Sequence, residues 1–94
     1  MNRKILLLLG LLPLALASQT YQITGSVRDM DGAPLPFANV LLLKAADSLQ
    51  VMGASADDQG VFALRQVPPD LYYLKATYFG YGSILVPLEV RSDI

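Results

Sequence analysis

Beyond residue 20 the sequence is broken at short intervals by glycine, proline and aspartate turn signals. Asp31-Gly32, Pro34 with Pro36, Asp57 to Gly60, Pro68-Pro69-Asp70 and Gly80 to Gly82 leave no stretch free for a long helix. Between these breaks the apolar residues alternate with period two, the spacing of a strand with one buried face. Ile23, Gly25 and Val27 fall on one face of the first such stretch, and Thr24, Ser26 and Arg28 on the other. Repeated short strands between close turns predict an all-β sandwich of six strands.

The first strand is predicted from Tyr21, and Asp31-Gly32 ends it with a residue free to take the positive φ of a tight turn. Pro34 and Pro36 hold the next connection extended. Phe37 to Leu43 reads as the second strand, with Ala38, Val40 and Leu42 on one face and apolar Leu41 and Leu43 on the other. A loop or single helical turn covers Lys44 to Gln50, and a third strand covers Leu49 to Ser55, weakened by Gly53. Asp57-Asp58-Gln59-Gly60 reads as a hairpin turn into a strand from Val61 to Arg65, with Phe62 and Leu64 inward. Val67-Pro68-Pro69-Asp70 is a rigid reversal. Leu71 to Tyr78 follows, with Tyr72, Leu74 and Ala76 on one face and Tyr73, Lys75 and Thr77 on the other. After the Phe79-Gly80-Tyr81-Gly82 corner, Ser83 to Val90 is predicted as a strand at a sheet edge or with a bulge, because Pro87 cannot donate to a ladder.

The N-terminus has a different character. Arg3 and Lys4 precede an apolar run from Ile5 to Ala17, interrupted by Gly10 and Pro13 and closed by Ala15-Leu16-Ala17. This is the layout of a secretory signal peptide, too short for the ~20 residues of a membrane span. Residues 1–17 are therefore expected to be the signal and residues 18–94 the exported domain. With no cysteine in the chain, a lipoprotein anchor is excluded and no disulfide staples the fold. Past Ala17 acids outnumber bases, so a nucleic-acid partner is not expected.

The composition also limits chemistry. Lacking histidine and cysteine, the chain can form no Ser-His-Asp triad, no thiol nucleophile and no zinc site built on those ligands. No phosphate-binding G-x-x-x-x-G-K-[ST] is present. Asp57 and Asp58 are adjacent and would face opposite ways on a strand. Asp29 and Asp31 flank a turn, where aspartates ordinarily bond local backbone. Asp29-x-Asp31-Gly32 has part of a calcium loop but lacks its remaining ligands in order. No catalytic residue, metal site or cofactor is expected. Tyr72, Tyr73, Tyr78 and Tyr81 could stack sugars or bases, although aromatic residues are common in strands.

Taken in order, Gly25-x-Val27, Asp31-Gly32-x-Pro34-Leu35, Ala38-Asn39-Val40, Ala56-Asp57-x-x-Gly60-x-Phe62-x-Leu64, Val67-Pro68-Pro69, Tyr72-x-Leu74 and Gly80-Tyr81 form a set. This set resembles the carboxypeptidase regulatory-like domain, in the version found at the N-terminus of TonB-dependent receptors and other outer-membrane β-barrel proteins. The resemblance covers about Tyr21 to Val90. It implies a non-catalytic, transthyretin-like Greek-key sandwich of about seven strands, six of them here. Two positions depart from the family pattern. Asp70 stands where glycine usually follows the prolines, and its tolerance of a left-handed turn is expected to preserve the corner. Ala56 replaces a threonine and its local hydrogen bond.

The resemblance further implies a periplasmic interaction domain of a Gram-negative outer-membrane receptor. Its partners would be the plug and barrel of the parent protein, with periplasmic signalling or energy-coupling proteins beyond them, and it would reach the membrane only through that parent. The 94 residues then read as the N-terminal part of a longer polypeptide, with the strand from Ser83 left open for a seventh. The alternative is an accessory or carbohydrate-binding module of a secreted hydrolase, using Tyr73, Tyr78 and Tyr81.

Overall fold

Alternation between turn signals produces six strands in the computed structural model, which describes residues 19–94. They are β1 (Tyr21–Ser26), β2 (Asn39–Lys44), β3 (Gln50–Ser55), β4 (Val61–Val67), β5 (Asp70–Tyr78) and β6 (Gly82–Val90). The expected signal peptide lies outside the described residues. No helix forms among them. The strands make two antiparallel sheets, one ordered β1-β4 and the other β3-β2-β5-β6. The all-β expectation holds, and Pro87-bearing β6 lies at a sheet edge.

The second sheet joins two local pairings through a long-range one, β2 with β5. β2 pairs with β3, and β5 pairs with β6 across the Phe79 to Tyr81 turn, closed by a Tyr81 N–H to Tyr78 C=O bond of 2.9 Å. The other two tight corners change sheets. Asp57 to Gly60 joins β3 to β4, which do not pair, so it is a corner between layers and not the predicted hairpin. Pro68-Pro69 carries the chain back from β4 to β5. Missing backbone donors suit prolines to a segment that leaves one ladder before joining another.

Three local expectations are corrected. Phe37 is not in β2: its φ of +61° is left-handed, its side chain is exposed, and the strand begins at Asn39. β4 continues past Arg65 to Val67, because an extra residue bulges between its pairings with Ile23 and Tyr21. Gln66 takes φ +57° in that bulge, which turns Val67 inward and buries it completely. A β-bulge shifts the alternation in this way. Asp70 does not adopt a left-handed turn; it opens β5 opposite Val90.

The core lies between the sheets. Ile23, Phe62, Leu64 and Val67 come from the β1-β4 layer, and Val40, Leu42, Tyr72 and Val90 from the other. Leu35, Ala38 and Ala56 close its edges from the connections. Ala56 is buried and donates its N–H to the Ala38 carbonyl at 2.8 Å. The two-stranded layer is narrower than the four-stranded one, and the cover is uneven. Ile84, Val86, Leu88 and Val90 share the core face of β6, opposite Ala76, Leu74, Tyr72 and Asp70. Burial fades along that row, from Val90 fully buried to Val86 40% exposed and Ile84 60% exposed.

Candidate interaction surfaces

Most residues of the ordered motif set are packing and turn residues. Gly25 lets β1 approach the ring of Phe62, since a Cβ there would stand 2.8 Å from Phe62 Cζ. Gly60, at φ +79°, leaves no room for a side chain, with the Val27 carbonyl 2.7 Å from the Cβ position and Pro34 Cβ at 3.2 Å. Val27, Pro34 and Gly60 therefore meet at one corner, although far apart in sequence. Val27 N–H bonds the Gly60 carbonyl at 2.8 Å, and the Val27 carbonyl accepts from Leu35 N–H at 2.9 Å. Ala38, Val40, Leu64 and Tyr72 are core residues, and Leu74 is half-buried against them. Pro68 supplies the carbonyl that accepts the Tyr72 hydroxyl at 2.7 Å. Pro69 is exposed beside it, and Gly80 and Tyr81 sit apart on the β5–β6 turn.

The aspartates organise turns, and two of them do so identically. Asp29 Oδ1 accepts the N–H groups of Asp31 and Ala33, both at 2.9 Å. Asp57 Oδ1 accepts those of Gln59 at 2.8 Å and Val61 at 2.9 Å. In each turn a glycine three residues on, Gly32 or Gly60, has positive φ and donates back to the aspartate carbonyl at 3.0 Å. The shared pattern, Asp-x-x-Gly, spends one carboxylate oxygen on two backbone amides. Asp31 and Asp58 are exposed. Among the described residues no three acids are grouped as metal ligands.

The tyrosines do not form one platform. Tyr73 lies on the outer face of the four-stranded sheet, between Leu43 and Pro87 in the register. Tyr78 and Tyr81 pack edge to face at the β5–β6 turn, centroids 5.5 Å apart and planes at 68°. Tyr72 is interior. Its hydroxyl pKa is raised, first by burial and second by the negative charge of Asp70.

What the structure leaves open is a side of the sandwich. Among the described strands β1 pairs with β4 alone. Between its other edge and the core face of β5 and β6 runs a slot of about 310 Å³, with Ile23, Phe62, Leu74, Ile84 and Val86 among its lining. The open edge expected at β6 is present, since β6 pairs only with β5 among the described strands. The chain after β6 crosses to β1, where Ile94 N–H bonds the Gln22 carbonyl at 2.9 Å and the Ile94 carbonyl accepts from Thr24 N–H at 3.0 Å. Asp93 Oδ1 accepts Gln22 N–H at 2.8 Å beside them. Ser92-Asp93 marks a turn after β6, but a turn signal does not say which strand the chain meets next.

The chain matches the model of the carboxypeptidase regulatory-like domain over residues 22–93. No curated protein matches it.

Proposed function

The chain belongs to the carboxypeptidase regulatory-like domain family, and on that premise we propose that it is the non-catalytic, periplasmic N-terminal interaction domain of a larger outer-membrane receptor. Such a domain stands between a signal peptide and the plug and barrel that it serves, completing a transthyretin-like Greek-key sandwich. The carrying observation is the arrangement of the chain. The family match begins at residue 22, directly behind a basic and apolar leader. In an accessory domain of a hydrolase, the sandwich ordinarily follows a catalytic domain.

Function then resides in contact. A chain without histidine or cysteine has few groups that could act as nucleophile or proton shuttle at neutral pH. Its aspartates are engaged with turn amides or exposed. Exposed sheet edges offer backbone hydrogen bonds to a partner. Energy-coupling and signalling proteins of the periplasm are the partner class this position favours.

Membrane fractionation of the protein expressed from its full reading frame tests the reading. Recovery in the outer membrane, with this domain accessible to protease only after that membrane is opened, is the expected result. A soluble product carrying a hydrolase domain would overturn it in favour of the accessory-module alternative.

A further inference from the structure

We propose that the end of the sandwich bearing Met30, Phe37, Phe79 and Tyr81 is a docking surface for a cationic, amphipathic polypeptide segment of a partner protein, its apolar residues flanked by lysine or arginine. The proposal rests on the preceding reading only in taking the domain to work by contact.

Three observations carry it. The first is convergence. Asn39, Ser55 and Thr77 share one register row of the larger sheet. Past that row lie the approach to β2 through Phe37, the Asp57 to Gly60 corner and the β5–β6 turn. Tyr78, packed against the core, ties the tips together. On one side of it Met30 and Tyr81 help line a hollow of about 230 Å³. On the other, Phe37 and Phe79 help line one of about 500 Å³.

The second is presentation. Met30 and Phe79 are 102% and 97% exposed, and Phe37 and Tyr81 are 67% and 62% exposed. Their backbones are nonetheless held. Met30 lies inside the Asp29 to Gly32 turn, closed at 3.0 Å, and Tyr81 N–H bonds the Tyr78 carbonyl. Phe37 N–H bonds the Asp57 carbonyl at 3.1 Å, at a positive φ that bulky residues seldom take. Apolar side chains gathered at one end and held outward mark a contact surface.

The third is charge, which selects the occupant. Four of the eight acids in the chain, Asp29, Asp31, Asp57 and Asp58, belong to the turns of this end. Arg28 is the one base beside them among the described residues. The other four acids are matched by Lys44, Arg65, Lys75 and Arg91, all away from this end. The excess negative charge of the described domain is therefore confined to its apolar end. Such an end repels an anionic bilayer and attracts lysine or arginine set beside apolar residues. Two hollows flanking Tyr78 suit apolar side chains carried at intervals on one extended chain.

The test titrates the isotope-labelled 94-residue chain with two synthetic peptides, Lys-Leu-Lys-Leu-Lys-Leu-Lys and Glu-Leu-Glu-Leu-Glu-Leu-Glu, followed by NMR. Residue-resolved shifts separate docking at the tips from any binding by the apolar leader. The expected result is shifts at Met30, Phe37, Phe79 and Tyr81 with the lysine peptide alone, its affinity falling about fivefold or more from low to physiological salt. Asp31→Asn combined with Asp58→Asn should weaken binding about fivefold, and Phe37→Ser or Phe79→Ser about tenfold. All four side chains are exposed, and unchanged core methyl resonances verify that each variant is folded. No response at the tips, an equal response to the glutamate peptide, or full affinity in Phe79→Ser overturns the proposal. Sedimentation with phosphatidylcholine vesicles that Phe37→Ser and Phe79→Ser abolish also overturns it, assigning the tips to lipid. Fractionation decides the parent protein separately, and neither of its outcomes alters these shifts.

Discussion

Gly25 stands against the Cζ edge of the Phe62 ring across the β1–β4 ladder, so that a methyl at residue 25 would fall 2.8 Å from Cζ and 3.0 Å from Cε1. In an open strand, replacing glycine by alanine is ordinarily favourable by about 0.5–1 kcal/mol, because it restricts the unfolded chain. Here the contact reverses the sign. Phe62 is buried among core residues and has little room to withdraw. Gly25→Ala is expected to cost about 1–3 kcal/mol, read as a lower midpoint in urea denaturation.

Phe62→Ala removes the other half of that contact. Lost burial and the cavity left behind are expected to cost about 3–5 kcal/mol, a large share of the stability of a domain this small. The two substitutions should not add. With the ring gone, Ala at residue 25 meets no clash, so the double variant should be less destabilised than the sum of its parts. A full double-mutant cycle in urea measures the coupling.

How far the fold could be read in advance follows from what alternation reports. It separates the two faces of a strand, and Ile23, Val40, Leu42, Phe62, Leu64 and Tyr72 were assigned their faces on that basis and are buried. It does not report which strand lies alongside, so Asp57 to Gly60 read as a hairpin although its flanking strands lie in different sheets. Nor does it survive an inserted residue: the Gln66 bulge hid both the inward Val67 and the end of β4. Pro87 marked the edge position of β6 correctly. The exposure of Ile84 and Val86 was illegible because it depends on the width of the opposite layer, which no local pattern encodes.

Asp57 and Asp58 separate a structural carboxylate from a solvated one. Asp57 accepts two amides in its turn, and its carbonyl accepts Phe37 N–H at 3.1 Å, tying the corner to the start of β2. Asp57→Ala leaves the two amides without their side-chain acceptor and is expected to cost about 1–2 kcal/mol. Asp58→Ala should change stability by less than about 0.5 kcal/mol. Thermal denaturation of the two variants side by side checks the contrast.

Tyr72 ties stability to alkaline pH. An unfolded tyrosine ionises near pH 10. In the folded chain burial, and then the charge of Asp70, raise that value. As pH climbs past 10, the unfolded state releases its proton first, and unfolding is favoured by the difference. The contribution from Tyr72 is therefore fully present below about pH 10 and is lost as pH rises toward the higher folded value. Tyr72→Phe abolishes this titration. It also deprives the Pro68 carbonyl of its 2.7 Å hydrogen bond, at a cost of about 1 kcal/mol near neutral pH. The wild-type advantage over the phenylalanine variant should therefore hold from pH 7 to 9 and shrink above about 10. Urea midpoints of both proteins across that range measure it, and an advantage that stays constant to pH 11 would place the hydroxyl in contact with solvent.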